Sequence, residues 1–152
     1  MRVHAAPRAA VRRGDSTDHD FIGRLAREAF GEFSNAAASN TLAMVKTGIS
    51  LVAEKGGRRV GFAIVDLPGQ RLAHLSAIAV VYSERGTGVG ALLLSRAEHL
   101  ARQSGATRLE LCTADSNVAA LELFFKSGFV LSHRHDRYYG RGQAACRLVK
   151  PL

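Results

Sequence analysis

The sequence predicts a mixed α/β fold, an antiparallel meander of strands leading into a β-α-β crossover. Three observations carry that reading. Apolar residues come in short runs between residues 49 and 81, punctuated by Gly56-Gly57 and Pro68-Gly69. A helical segment follows from Ala91, bounded by the glycine turn Arg85–Gly90 and by Gly105. A further apolar strand, Thr107–Thr113, comes after it, and a right-handed crossover lays it parallel to the strand at Arg71. Antiparallel and parallel pairs together make the sheet mixed.

The elements follow in order. Arg8–Arg13 reads as a first strand. Asp15-Ser16-Thr17-Asp18 offers helix caps, and Phe21, Ile22, Leu25, Ala29 and Phe30 recur at helical spacing behind it. A weaker helix is expected over Ala36–Lys46, stopped by Gly48. Ile49–Lys55, Arg59–Leu67 and Arg71–Val81 form the meander. After Thr107–Thr113, Ser116 or Asn117 caps a helix that runs through Phe125 and Lys126 to Gly128. Phe129–Tyr138 and Gln143–Val149 read as a final strand pair. No repeat or linker interrupts this order, so a single domain over residues 1–152 is expected.

Composition narrows the class. The chain has 152 residues, 47% hydrophobic and 22% charged, enough for a real core. No apolar run is long enough to span a bilayer. Met1–Arg13 holds four arginines and no acid, the bias of a transit peptide, but lacks an amphipathic helix pattern; a cytoplasmic protein without a membrane partner is expected. Cys112 and Cys146 have no C-x-x-C spacing and read as small hydrophobes. His133 and His135 share a strand face without an evident third ligand, so a solvated hairpin is expected and no metal. The net charge of +8 favours an anionic partner such as nucleic acid, a ribosome surface or a polyphosphate cofactor. Scattered basic residues and few aromatics disfavour nucleic acid as the main ligand.

The turn Arg85-Gly86-Thr87-Gly88-Val89-Gly90 lies between a strand and a helix. The first N–H groups of a helix have no internal partner, the helix dipole adds positive charge there, and glycines let the backbone approach a phosphate. Gly86-x-Gly88-x-x-Ala91 satisfies a loose dinucleotide fingerprint, with Glu110 at a plausible distance for a ribose. That fingerprint belongs after a first strand, however, and here a whole meander precedes it. No G-x-x-x-x-G-K-[ST] motif exists. The purely structural alternative is a helix that merely begins with glycines.

Arg85-x-x-Gly88-x-Gly90 resembles the acyl-CoA pyrophosphate loop of the GNAT N-acetyltransferase superfamily. Ile78-Ala79-Val80 resembles the end of that family's fourth strand, and Asn117 through Phe129 its N-x-x-A-x-x-(F/L)-Y-x-K-x-G-F helix. The stretch from Arg137 to Ala145, with Tyr138-Tyr139, is similar to the Y-Y-x-x-G-E-D-A segment of protein Nα-acetyltransferases, including the ribosomal-protein-alanine type, although Gln143 and Ala144 replace its two acids. The resemblance implies a GNAT fold with splayed parallel strands and helices on both faces. It implies acetyl-CoA as cofactor and an amine acceptor, either a peptide or protein N-terminus, a ribosomal protein among them, or a small molecule. A catalytically weak CoA-binding module is the alternative, and a homodimer stays open.

The resemblance also implies residue roles. Backbone N–H groups of Arg85, Gly86, Thr87, Gly88, Val89 and Gly90 would cradle the pyrophosphate, with the Arg85 side chain either adding charge or lying solvated. The backbone of Ile78, Ala79 and Val80 would pair with the pantetheine arm, and an N–H near Val80 would polarise the thioester carbonyl. Asn117 would touch the same arm while capping its helix. The family's common acid, a tyrosine, is replaced here by Phe124, and the strand position that often holds a glutamate base aligns with Cys112. His74 is the candidate substitute base, with Tyr138 and Tyr139 as proton donors; a hydrogen-bonded strand histidine and a packed aromatic hairpin are the plainer alternatives. Spacing alone puts Ser76 on the same side as His74. At pH 7, deprotonation costs about 1 kcal/mol for an α-amine of pKa ~7.8 and about 4.6 kcal/mol for a lysine of pKa ~10.4. A site without a strong base should therefore prefer an N-terminal amine.

Overall fold

Residues 7–152 are described by the computed structural model; the rest of the basic N-terminal stretch, residues 1–6, lies outside them. The strands are β1 (Ala10–Arg13), β2 (Ile49–Lys55), β3 (Arg58–Gly69), β4 (Leu72–Val80), β5 (Arg108–Ala114), β6 (Val130–His135) and β7 (Ala145–Pro151). The helices are α1 (His19–Phe30), α2 (Ala37–Thr47), α3 (Val89–Gln103) and α4 (Val118–Lys126). The strands form one sheet in the order β1-β2-β3-β4-β5-β7-β6. β4 and β5 pair in parallel, and every other neighbouring pair is antiparallel. This is the mixed sheet expected from the sequence.

Helices cover both faces because the strands alternate. In β3, Ala63 and Val65 join a cluster with Leu93, Leu94 and Ala97 of α3 and Phe124 of α4. Phe62 and Ile64 point the other way, to Ile22, Leu25 and Ala26 of α1. The α1 stripe legible in the sequence thus faces the core, with Ile22 and Ala26 fully buried.

Two boundaries differ from expectation for local physical reasons. Pro68-Gly69 does not turn the chain. Pro68 sits in an irregularity of β3, between the Asp66–His74 and Gly69–Leu72 pairs, where a missing N–H is tolerated. The hairpin turns instead at Gln70 and Arg71, with φ of 58° and 61°, two left-handed residues matching the twist of the strands. The last pair is also shorter than expected. β6 stops at His135, and Tyr138 and Tyr139 lie in a loop where both N–H groups donate to the Gln143 carbonyl. Arg137 and Gly142, at φ of 51° and 90°, break the extended run.

Asp18 ties the N-terminal half together. Its carboxylate is fully buried. It accepts two bonds from the Arg12 guanidinium, at 2.7 and 2.8 Å, one from Arg59 Nε at 2.7 Å and one from the Asp15 N–H at 2.9 Å. Arg12 Nε continues to Glu54 Oε1 at 2.7 Å. Asp18 thus joins β1 and β3 at the start of α1, and Arg12 extends the network to β2. The sequence marks Asp18 only as a cap; the bidentate pairing depends on strands distant in the chain. Bonds from Arg12 hold its carboxyl well below the usual carboxylate range, against the opposing effect of burial. A lowered folded-state pKa means that this stabilisation is complete above the unfolded value of about 4 and is lost as pH falls from there toward the folded value. Asp18→Asn should lower the unfolding free energy by about 2–4 kcal/mol at pH 7, since it strands two arginines. Urea titration should show that deficit, and the gap to the wild type should narrow below about pH 4.

Candidate active site

β4 and β5 run in register only from Leu72–Arg108 to Leu75–Leu111. Beyond that point β4 continues beside β3 to Val80, and β5 continues beside β7 to Ala114. The divergence coincides with a bulge. Leu75 faces Val65 and Ala77 faces Ile64, so Ser76 has no partner across β3. The bulge reverses the alternation, which a β-bulge does by adding a residue and local twist. Leu75 packs with the α3 cluster, whereas Ala77 packs with the α1 cluster.

Two voids meet at this gap. A groove runs past Ile78, Ala79 and Val80 to Arg85, Gly86, Gly88 and Gly90, with Asn117 on its other wall. A cavity of about 200 Å³ lies between the gap and the α1–α2 hairpin, reached by Ser76, Cys112, Thr113 and Tyr139. Phe30, Ile78, Asn117, Ala120 and Phe124 line both. The five shared residues place the two voids side by side at the gap.

At the groove's far end the backbone is shaped for an anion. Gly86 and Gly88 adopt φ of 74° and 94°, a left-handed conformation that favours glycine. No protein atom lies within 4 Å of where a Cβ on either would stand. Gly88 caps α3 without a side-chain bond, so the opening N–H groups of this fifteen-residue helix have no side-chain cap. Thr87 turns its hydroxyl back to the Glu84 carbonyl at 2.6 Å, and the Val89 side chain is buried in the core. Those two residues can offer only main-chain groups. Arg85 folds over the Tyr82 ring, 5.5 Å from its centroid, and Nε donates to the Val80 carbonyl at 3.4 Å. Glu28, Glu32, Glu84 and Glu122 also border the groove, against Arg85 and Lys126, and Glu84 is paired with Lys55 at 2.9 Å. The net charge of +8 is therefore not focused here. An anion placed at this point would meet oriented N–H groups and the helix dipole.

The candidate proton carriers are divided. His74 stands in register between Asp66 of β3 and Glu110 of β5. Glu110 in turn meets Arg108 at 3.1 Å and Arg147 at 3.6 Å. Burial, followed by the nearby Arg147 charge, lowers the His74 pKa against the pull of Glu110 and Asp66, which favours the neutral imidazole. Because the bulge intervenes, Ser76 lines the cavity while His74 does not; simple two-residue spacing does not hold across it. Tyr139 lines the cavity beside Phe33, with ring centroids 5.5 Å apart. Burial, with the Cys112 thiol close by, raises its phenol pKa. Tyr138 is 53% exposed and stays outside the cavity. Cys112 is half-buried in the cavity wall, and Cys146 is buried. Phe124 is buried at the junction, its ring 5.7 Å from Phe129. Asn117 Oδ1 accepts from the Ala120 N–H at 3.4 Å, so it caps α4 while facing both voids. Among the described residues no group of three or more His, Cys, Asp and Glu side chains could hold a metal ion.

Sequence reasoning missed the outer wall of the cavity. Phe33, Ala37, Thr41 and Met44 come from α2 and the turn before it. No motif marks them, because their part in the site depends on how the α1–α2 hairpin packs over the sheet.

The family model for acetyltransferases of the GNAT family matches residues 19–129, and the chain belongs to that family. Residues 19–129 thus form a GNAT acetyltransferase domain, a family that uses acetyl-CoA as acyl donor. The N-alpha-acetyltransferase MAK3 of Arabidopsis thaliana is 30% identical over 95 residues, a match covering 60% of this chain and 50% of that protein. The match thus spans about half the length of that relative. The structure of an IAA acetyltransferase from Bacillus cereus ATCC 14579 superposes with a TM-score of 0.82 at 22% identity, covering 95% of this chain and 100% of that one. A ribosomal-protein-alanine N-acetyltransferase from Brucella melitensis gives a TM-score of 0.81 at 20% identity, covering 94% and 99%. At these identities the structural likeness shows the fold. The mixed sheet with helices on both faces is the GNAT fold.

The glycine cradle yields a test in two substitutions. Gly88→Val forces a β-branched residue into left-handed backbone and should destabilise the fold by about 1–2 kcal/mol. Gly88→Asn tolerates that backbone far better while still placing a side chain at the turn. Both should weaken acetyl-CoA binding by about tenfold or more, about 1.4 kcal/mol, in calorimetry. Only the valine variant should also lose thermal stability.

Proposed function

We propose that this acetyltransferase acetylates the α-amine of a peptide or protein N-terminus. The carrying observation is that the glycine-lined groove and a separate cavity adjoin at the β4–β5 gap and share five lining residues, so that donor and acceptor would approach one point from different sides. The resemblance of the Tyr138-Tyr139 loop to protein Nα-acetyltransferases and the Arabidopsis relative support a peptide acceptor.

Acetyl-CoA supplies an acetyl group activated as a thioester. The chain's own residues would do the rest. Main-chain N–H groups from Arg85 through Gly90 would hold the diphosphate, as the open glycine cradle allows. Ile78, Ala79 and Val80 present backbone that β5 leaves unpaired, suited to hold an extended arm and to donate an N–H toward a carbonyl oxygen. Asn117 would brace the same arm. Among the described residues no carboxylate, imidazole or ammonium lines the cavity, so an amine proton would leave through water. His74, kept neutral by burial, would take it, with Tyr139 as a donor within the cavity and Tyr138 next to it in the same loop. The groups that stand in for the family's usual acid and base, Phe124 and Cys112, suit an acceptor that is easy to deprotonate, and an α-amine is such an acceptor.

A small-molecule amine is the second reading, favoured by the modest size of the cavity. Thiol release from acetyl-CoA, followed over a panel of N-terminal peptides and small amines, separates the two. Peptide turnover supports the proposal, and turnover confined to small amines replaces it. Binding of acetyl-CoA without turnover on any amine would make the chain a CoA-binding module.

His74→Ala should lower kcat by about 10²–10⁴-fold while leaving acetyl-CoA affinity unchanged in calorimetry. In the wild type, kcat/KM should fall on the acid side through a pKa below the ordinary imidazole value of about 6.5, because burial disfavours the charged ring. That limb should vanish in the variant, leaving one set by the substrate amine near ~7.8. An unchanged profile would place the base elsewhere.

A further inference from the structure

We infer that the acceptor presents an uncharged, apolar first side chain of about leucine or methionine size to a wall built from Phe33, Met44 and Tyr139; this rests on the reading of the cavity as the acceptor site. None of the lining residues is Asp, Glu, Lys, Arg or His. The charged side chains that border the site stand along the groove instead, at Glu28, Glu32, Glu84, Arg85, Glu122 and Lys126. A lysine or aspartate side chain entering the cavity would lose its water without gaining a counter-charge, which burial of an unpaired charge penalises heavily. An apolar side chain would lose only unfavourable contact with water.

Size is set by the same walls. An apolar cavity of about 150 Å³ accepts benzene, so the ~200 Å³ present here has room for an amine-bearing carbon and a branched or thioether side chain. A glycine or alanine would leave apolar wall facing water. Each fully buried methylene is worth roughly fourfold in an equilibrium, so three more carbons favour leucine over alanine by up to about sixtyfold, and by about tenfold with roughly half of that surface buried.

The wall is held rather than loose. Gln143 Nε2 donates to the Glu32 carbonyl at 2.9 Å, Arg141 donates to the Asn35 side chain, and the Phe33 and Tyr139 rings lie 5.5 Å apart. These contacts join the β6–β7 loop to the α1–α2 turn on the cavity's outer side. A bridged cavity of this size suits a chain terminus better than a lysine on a folded surface.

The test is kcat/KM at saturating acetyl-CoA for the full chain, with peptides identical except for a first residue of Ala, Leu, Met, Lys or Asp. Leu and Met should exceed Ala by about tenfold and exceed Lys and Asp by about 100-fold. Met44→Glu, which puts a carboxylate into the wall, should invert the Leu:Lys ratio while calorimetric acetyl-CoA affinity stays the same. Equal rates across the panel, or Lys or Asp as the best first residue, overturn the inference while leaving N-terminal acetylation standing. Turnover of 2-phenylethylamine but of no peptide overturns the N-terminal reading and supports the apolar acceptor. Turnover of spermidine alone, or of no amine at all, overturns both.

Discussion

The groove and the cavity both depend on two parallel strands that stop pairing. β4 and β5 share a register for only four residue pairs, Leu72–Leu75 against Arg108–Leu111. A parallel pair in mid-sheet would normally continue, because unpaired backbone groups are unfavourable away from water. Here each strand keeps its other neighbour. β3 holds β4 to Val80, and β7 holds β5 to Ala114. The bulge at Ser76 turns β4 away at the point of separation. The cleft is thus opened by the sheet's own bonding, and the backbone facing it is left free for a ligand of strand-like shape.

Charge is distributed to match. The groove carries both signs and ends in a helix N-terminus, where fixed dipoles act on an anion. Among the described residues, no charged side chain lines the cavity. The ionised residues that are buried serve the scaffold: Asp18 between Arg12 and Arg59, and Glu98 against Lys150 at 2.5 Å. His74 occupies the middle ground, on the sheet between Asp66 and Glu110, close to the cleft and outside the cavity it would serve. That placement suits proton transfer through water better than direct contact with an amine.

What the sequence determined by itself was local. Element order and the glycine turn are written in nearest-neighbour patterns: alternation in Ile49–Lys55, helical spacing from Phe21 to Phe30, and glycines at the start of α3, two of which must reach positive φ. Asn117 as a helix cap is equally local. Those patterns sufficed for the fold and for the groove, whose lining lies largely in two continuous segments around Ile78–Ala91 and Asn117–Lys126. The tertiary structure alone decided where alternation breaks and which distant segments meet. The Ser76 bulge separates Ser76 from His74 because it depends on the register with β3, and Pro68 stays within its strand for a similar reason. Asp18 becomes a buried anchor only when β1 and β3 bring two guanidiniums to it. The cavity wall of Phe33, Met44 and Tyr139 joins residues about a hundred positions apart. Such contacts follow from packing across the sheet, and no spacing along the chain encodes them.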